Sequence, residues 1–283
     1  MLSIGLPVYN GEKSIEKSIN SLLNQTFTDF ELIISDNASN DNTEKICREY
    51  AKKDSRIKYY RQDKNIGPLK NFSYVLENAT SQYFMWAADD DLWEDSFIEK
   101  NIQVLESDPN TVGSISKVDF FGNSTNRYAK DPIFLPVIPA RGNYEQRFST
   151  YLKLAESTAI YSIFRTDCLK QSVYFHHLPW DLSIILAILK FGELNVIDEI
   201  LFHRSALGES SSARSYEIFK NLYKIDRLEL LFMFVPFLKW CIELFGIKFI
   251  FKNFNSILKL HVSGYGRIIN DELQYVLSKF TKE

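Results

Sequence analysis

Tyr83-Phe84-Met85-Trp86-Ala87-Ala88-Asp89-Asp90-Asp91-Leu92-Trp93 decides how this chain is read. An apolar run long enough for a buried strand gives way to three consecutive carboxylates. A tryptophan follows, then the amphipathic pattern of Phe97, Ile98, Ile102 and Leu105. Three adjacent like charges repel one another, and stability does not call for them. At the carboxyl end of a central strand they point into the crevice where open α/β sheets bind ligands. A hard divalent cation offsets the repulsion, because Mg²⁺ and Mn²⁺ favour oxygen ligands and are shared between carboxylates and phosphate oxygens. The stretch therefore marks a candidate metal and diphosphate site rather than a solvated acidic turn.

Upstream, Ser3 to Val8 reads as a short buried strand ending in Pro7-Val8-Tyr9-Asn10-Gly11. Asn10 is placed to cap a helix whose Ile15, Ile19, Leu22 and Leu23 share one face. Phe30 to Ser35 forms a second strand that runs into Asp36-Asn37-Ala38-Ser39. Asp41 and Glu44 have the spacing of a capping box for a helix through Ile46, Tyr50 and Ala51. A third strand, Ile57 to Tyr60, leads to Asn65-Ile66-Gly67-Pro68, and Leu69, Phe72, Leu76 and Ala79 mark another helix. This βαβαβαβ alternation predicts an α/β fold with a mostly parallel central sheet flanked by helices. The first βα turn carries neither GxGxxG nor GxxxxGK[ST], which sets aside a Rossmann dehydrogenase and a P-loop NTPase.

At 283 residues, 45% hydrophobic and 14% aromatic, the chain can bury a sizeable core and is not disordered. A net charge of −3 gives no global pull toward nucleic acid. Cys47, Cys168 and Cys241 are widely spaced and odd in number, so buried thiols are expected rather than disulfides or a zinc site. A strand beginning almost at Met1 leaves no room for a signal peptide, and no run of about twenty apolar residues appears. The expected location is cytoplasmic.

Five motifs now fall in one order: Pro7-Val8-Tyr9-Asn10, Leu22-Leu23-Asn24-Gln25-Thr26, Ser35-Asp36-Asn37-Ala38-Ser39-Asn40-Asp41, Asn65-Ile66-Gly67 and Asp89-Asp90-Asp91-Leu92-Trp93. In that order they resemble family 2 glycosyltransferases, densely over residues 1 to 105 and more thinly to 210. The resemblance implies a GT-A fold and inverting transfer of a sugar from a nucleotide-diphosphate donor, with Mn²⁺ or Mg²⁺ as cofactor and a UDP sugar as the leading donor. It places Pro7, Tyr9 and Asn10 beside the base and ribose. Asp36 resembles the carboxylate that accepts a base N–H, and Asn65 and Gly67 the loop closing over the nucleotide. The acidic run departs from D-x-D-D-x-W, because Ala88 occupies the first Asp position. Asp90 then takes the ligand position, with Asp89 and Asp91 beside it in the metal site.

The second half is read more coarsely. Val112 to Phe121 is a strand, Gly122 to Arg141 a polar loop, and Ala159 to Arg165 is similar to the family strand on the acceptor side. Leu178-Pro179-Trp180-Asp181 opens a helix, and the resemblance makes Asp181 the general base. Inversion needs an acceptor hydroxyl to attack opposite the departing diphosphate, and a carboxylate at a helix start can take its proton. Val196 to Phe202 is a last strand, followed by His203-Arg204. The family's aromatic-Arg-x-His pattern puts Ala206 where a histidine is expected, so Arg204 remains as the phosphate-facing candidate. His176 and His177 have no metal-partner spacing.

Residues 1–215 are expected to form the catalytic domain, with 1–105 binding the nucleotide sugar and 106–215 the acceptor. Residues 216–283 form a C-terminal helical extension carrying ten Lys and Arg against seven Asp and Glu. A helix from Phe237 to Leu260, interrupted upstream by Pro236, would place Lys248, Lys252 and Lys259 beside a wide apolar face. Such a face suits a peripheral contact with the inner side of the cell membrane, or packing on the catalytic domain or a second subunit of a homo-oligomer. The function read from all this is a hexosyl- or N-acetylhexosaminyltransferase acting on a glycan or lipid-linked acceptor in cell-surface polysaccharide synthesis. The alternatives are a nucleotidyltransferase, whose Gly-rich basic first loop is missing, and a non-catalytic sugar-nucleotide or glycan binder.

Overall fold

The computed structural model describes residues 1–121, 137–154, 157–173, 180–205 and 235–262. Strands β1 (Leu2–Val8), β2 (Phe30–Asp36), β3 (Ile57–Arg61) and β4 (Tyr83–Trp86) alternate with helices α1 (Ile15–Leu23), α2 (Thr43–Lys53) and α3 (Pro68–Glu77). β1 pairs in parallel with β2 and β4, and β2 with β3. β1 and β2 are buried at every residue, as strands covered by helices on both faces must be.

Beyond β4 the sheet becomes mixed, where the sequence pattern predicted a mostly parallel one. β5 (Leu92–Trp93), α4 (Phe97–Ser107) and β6 (Thr111–Phe121) come next. After them follow α5 (Tyr144–Leu154), a 3₁₀ turn (Thr158–Tyr161), β7 (Ile163–Arg165), α6 (Thr166–Lys170), α7 (Trp180–Ile188) and β8 (Glu193–Ser205). The eight strands lie in the order β3-β2-β1-β4-β7-β6-β8-β5. β7 is antiparallel to β4 and β6, while β6 and β8 run parallel with register shifts. β5 pairs antiparallel with the end of β8, Leu92 opposite His203. This last pairing folds the acidic run back onto the far half of the sheet.

Several local expectations change. Asn10 does not cap α1, whose N-cap is Ser14. Asp41 and Glu44 form no capping box: Asp41 accepts the N–H groups of Glu12 and Thr43, and Glu44 pairs with Arg48 and Arg61. The segment 159–165 is split between the 3₁₀ turn and the three-residue β7. Pro236 lies inside the first turn of α8 (Val235–Phe245), where its missing N–H costs nothing. The helix expected from 237 to 260 breaks at Gly246 (φ 77°), and α9 (Ile247–Lys252) starts after it. Helical backbone resumes over 254–262.

The C-terminal helices share the core of the sheet domain. Phe148 of α5 meets Trp240 at 5.6 Å, Phe245 at 4.9 Å and Phe249 at 5.5 Å between ring centroids. Lys252 reaches Glu145 at 2.7 Å. Phe237, Cys241, Phe249, Ile257 and Leu260 are buried in the same hydrophobic cluster as β1 and β4. Among the described residues, no helix is long and apolar enough to cross a membrane.

Glu31 of β2 is buried (4% exposed) at the end of the sheet away from the acidic run, accepting from Ser3 Oγ at 2.5 Å and from Lys58 Nζ at 2.5 Å. Burial works against its carboxylate, but the hydrogen bonds from Lys58 and Ser3 outweigh burial and lower its pKa. A depressed folded-state pKa contributes stability above the unfolded value that is lost as pH falls. Glu31→Gln is therefore expected to cost on the order of 1–2 kcal/mol at neutral pH, shrinking toward zero below about pH 4. Urea unfolding across that range checks it, and a pH-independent cost contradicts it.

Candidate active site

The carboxyl ends of β1, β2 and β4 open on one edge of the sheet, and the chain beyond each is bent. Among the described residues, Asn10 (φ 55°) and Ala38 (φ 60°) are the non-glycine positions with positive φ, each just past a strand end. Left-handed backbone at such residues costs on the order of 1–2 kcal/mol, so surrounding bonds must hold it. They do. Asn10 N–H donates to Ser39 Oγ at 2.9 Å, and Asn10 Oδ1 accepts from Asn40 N–H at 2.8 Å. Gly11 N–H donates to Thr43 Oγ1 at 2.8 Å. The first two loops are thereby stitched into one wall.

Pro7 is buried in β1 opposite Ser35, and Tyr9 is half-buried just beyond the strand. Asn65 is exposed at the rim, its Oδ1 accepting from Asn37 Nδ2 at 3.1 Å and from Gly67 N–H at 2.9 Å. Gly67 caps α3 at φ 87° and ψ 157°, a conformation open only to glycine. Asp36 ends β2 inside the wall. Its residue is fully buried, with Oδ1 accepting from Ser39 N–H at 2.8 Å and Oδ2 from Tyr59 O–H at 2.7 Å and Arg61 Nη1 at 2.9 Å. These three donors brace the carboxylate within the wall, and a carboxylate with three accepted hydrogen bonds keeps acceptor capacity for one more.

The acidic run divides. Asp89 packs against the first loop, where a methyl on Gly11 would sit 2.3 Å from Asp89 Oδ2. Asp90 is partly buried, and burial raises its pKa against the pull of Arg204. Asp91 is 2% exposed and turned toward β8, its Oδ1 accepting from Ser205 N–H at 2.8 Å. Its Oδ2 is buried with no hydrogen-bond partner, 3.8 Å from Arg204 Nε. Burial pushes the Asp91 carboxyl up to about 7, with Arg204 opposing and Asp90 adding to the rise. Among the described residues no three His, Cys, Asp or Glu side chains are grouped to hold an ion by themselves. The three aspartates thus do not converge as one three-ligand cluster: Asp89 lies against Gly11 of the first loop, while Asp91 is tied to Ser205 of β8. An orphaned buried carboxylate oxygen beside a second desolvated carboxylate nevertheless fits a divalent cation. Such ions take one or two carboxylates and complete their shell with water and substrate phosphate.

Arg204 donates from Nη1 to Thr158 Oγ1 at 3.1 Å, and its guanidinium carbon lies 5.2 Å from the Tyr161 ring centroid and 5.8 Å from that of Phe120. It is 20% exposed, so it is not an ordinary surface ion pair. Tyr161 is the hub. Burial raises the pKa of its hydroxyl, Arg204 opposes, and the fields of Asp91, Asp90 and Asp181 add to the rise. Asp181, 98 positions from the start of β4, is therefore brought into the same electrostatic neighbourhood as the acidic run. The link is aromatic. Trp86 of β4 donates its indole N–H to Phe72 O at 3.1 Å, and Phe72 meets Trp180 edge-on at 5.3 Å. Trp180 opens α7, and Asp181 Oδ1 accepts the N–H of Leu182 at 2.8 Å.

Tyr161, Thr158 and Phe120 were not singled out by the sequence reading, because nothing in their spacing marks them. His203, next to Arg204, is a clamp, with Nδ1 2.5 Å from Asp119 and Nε2 2.9 Å from Glu94. Burial disfavours its cation, but these two hydrogen bonds outweigh burial and raise its pKa. Ala206, His176 and His177 lie outside the described residues.

A mixed sheet with its acidic loop and helix-borne carboxylate gathered at one edge is the GT-A architecture of glycosyltransferases. The family model "Glycosyl transferase family 2" matches residues 3–172, and the chain belongs to that family. An uncharacterized glycosyltransferase of Rickettsia conorii is 33% identical over 143 residues, covering 48% of this chain and 23% of that protein. A GalNAc(5)-diNAcBac-PP-undecaprenol beta-1,3-glucosyltransferase of Campylobacter jejuni is 37% identical over 91 residues, covering 32% of this chain and 29% of that protein. The chain thus spans less than a third of the length of either. Among solved structures, the mannosyltransferase PcManGT of Pyrobaculum calidifontis, in complex with GDP-Man and Mn²⁺, aligns with a TM-score of 0.63. It is 13% identical, covering 98% of this chain and 74% of that one. Staphylococcus aureus TarS in complex with UDP-GlcNAc gives a TM-score of 0.59 at 22% identity, covering 78% of this chain and 65% of that one. At these identities the likeness is one of fold.

Two substitutions separate strut from ligand. Asp36→Ala leaves Tyr59, Arg61 and Ser39 without their acceptor and is expected to cost on the order of 3 kcal/mol. Asp91 behaves oppositely in metal-free protein. Its folded-state pKa is raised, so ionising it costs stability as pH climbs from about 4 through about 7. Asp91→Asn is therefore expected to match the parent protein near pH 4 and to melt at a higher temperature near pH 8. Calorimetry across this range decides, and a variant less stable at the alkaline end contradicts the assignment.

Proposed function

We propose that this family 2 enzyme inverts configuration while moving a hexosyl or N-acetylhexosaminyl group from a nucleotide-diphosphate sugar to a hydroxyl of a glycan or lipid-linked acceptor. The observation that carries the reading is Asp91 buried next to Asp90, with Arg204 3.8 Å from its unbonded oxygen and lying over the Tyr161 ring.

In this reading the base and ribose lie against Pro7, Tyr9 and Asn10, under the rim formed by Asn65 and Gly67, with Asp36 bracing the wall from behind. Asp90 is the principal candidate to hold a divalent cation, with Asp91 Oδ2 and Asp89 beside it. Such a cation, when bound, neutralises charge on the diphosphate. Arg204, held by Thr158 and facing Asp91, lies on the same side and can pair with a phosphate oxygen. Asp181 takes the acceptor proton as the sugar–oxygen bond forms, from the face opposite the diphosphate. Trp180 against Phe72 fixes the start of α7, and so the distance between Asp181 and the acidic run.

Donor class is supported by neighbours that bind UDP-GlcNAc in one case and GDP-Man in the other, and a UDP sugar remains our leading choice. The acceptor class is supported by the undecaprenol-linked Campylobacter relative. A second relative is a putative teichuronic acid biosynthesis glycosyltransferase, TuaG, of Bacillus subtilis, 31% identical over 105 residues and covering 42% of that protein. Both support a role in cell-surface polysaccharide assembly, which in our reading takes place at the inner face of the membrane.

Asp181→Asn tests the assignment. Turnover is expected to fall by roughly 10²–10⁴-fold. The rise in melting temperature given by nucleotide sugar with Mn²⁺ should persist, since binding groups are untouched. A variant retaining turnover within a few-fold of the parent protein overturns the role of Asp181, and a protein stabilised by no nucleotide sugar overturns the donor class.

A further inference from the structure

From Ile247 onward the C-terminal helices carry two apolar stripes. Phe249, Asn253, Ile257 and Leu260 recur at helical spacing and are buried against the sheet domain. Ile247, Phe251, Phe254, Leu258 and Val262 recur at the same spacing on the outward side, and they are 53%, 75%, 54%, 48% and 62% exposed. Lys248, Lys252 and Lys259 run along one edge of the outward stripe. A contiguous row of five large exposed apolar side chains is unusual for a face meeting only water.

We propose that this outward stripe docks on the surface of an anionic bilayer, with Phe251 and Phe254 entering the headgroup boundary and Lys248 and Lys259 meeting acidic lipid headgroups. Charge selects this occupant. Residues 235–262 hold four lysines and one carboxylate, Glu243. The whole stretch 216–283 carries +3, whereas the remaining 215 residues carry −6. An anionic surface therefore attracts the C-terminal helices and repels the catalytic domain, which fixes the orientation as well as the contact. Among the described residues, the C-terminal helices of a second copy would offer the lysine edge a single carboxylate, Glu243, and Glu145 is already paired with Lys252. The stripe is also held in place: Lys252 is tied to Glu145, and the Phe148 cluster joins α8 and α9 to α5, which packs on α7. The docked surface is thereby fixed relative to the helix that carries Asp181. The docking stands on the helices alone and does not rest on the donor or acceptor assigned above.

The test is co-sedimentation of the full chain with vesicles of phosphatidylcholine alone and with about one third phosphatidylglycerol, at low and high salt. Binding is expected only to the anionic vesicles and is expected to weaken at high salt. The double substitution Phe251→Ser, Phe254→Ser should reduce it roughly tenfold or more, and Lys248→Glu with Lys259→Glu should abolish its preference for phosphatidylglycerol. Melting temperature without lipid should be unchanged in both variants, because exposed side chains contribute little to the fold. Absence of binding by the parent protein overturns the proposal. So does a fall in melting temperature in the phenylalanine variant, which would mean the stripe is covered by the chain itself. A dimer that the same variant converts to monomer, without loss of vesicle binding, overturns it in favour of a second copy.

Discussion

Burying carboxylates beside one another is the constraint on which this molecule turns. Asp91 lies just before β5 with one oxygen tied to Ser205 N–H and the other without a hydrogen bond, and Asp90 is partly desolvated next to it. Water is the usual remedy for such repulsion, and burial removes it. What remains is Arg204 at 3.8 Å, itself held by Thr158 and stacked near Tyr161 and Phe120. The guanidinium offsets part of the charge, so the pair persists as an acidic site still short of positive charge. A crevice with an unmet demand for cation, and an arginine able to reach phosphate, is suited to a ligand that brings both kinds of charge together.

The rest of the fold delivers groups to that point from distant parts of the chain. Parallel pairing of β1, β2 and β4 aligns three strand ends, so loops separated by dozens of residues form one wall. The short antiparallel pairing of β5 with β8 then carries the acidic run against Arg204 and Ser205. The line Trp86, Phe72, Trp180 does the same for α7 through aromatic contact. Position is therefore set by packing in a close-filled interior, which resists small displacements better than a chain of surface contacts would.

Much of this was legible in the sequence, and what was not has a physical reason. The first four strands and their helices announce themselves because covered parallel strands are apolar throughout and their helices carry a 3.6-residue period. The acidic run stands out because three carboxylates are out of place after an apolar strand, whereas Asp181 is marked by the family resemblance. For Asp36 the sequence does not say that Tyr59 and Arg61 of the neighbouring strand also bond its carboxylate. Asn10 reads as a cap because asparagine so often is one, yet a positive φ turns it toward Ser39 and Asn40. In the second half, strand direction depends on pairing between β7, β6 and β8, and residues such as Thr158 and Tyr161 acquire their meaning only when that pairing forms.

The break at Gly246 has a consequence of its own. With φ at 77° and open space around its α-carbon, it ends α8 after Phe245 and lets α9 begin in a new phase, so that Phe245 and Phe249 stack at 4.6 Å over the same partner, Phe148. Each residue added to or removed from this joint would turn everything downstream by about 100° about the helix axis. The side now sunk in the domain and the side now facing outward would no longer match their surroundings. Chain length at this one elbow, more than the identity of the amino acid filling it, is what evolution would be obliged to keep constant.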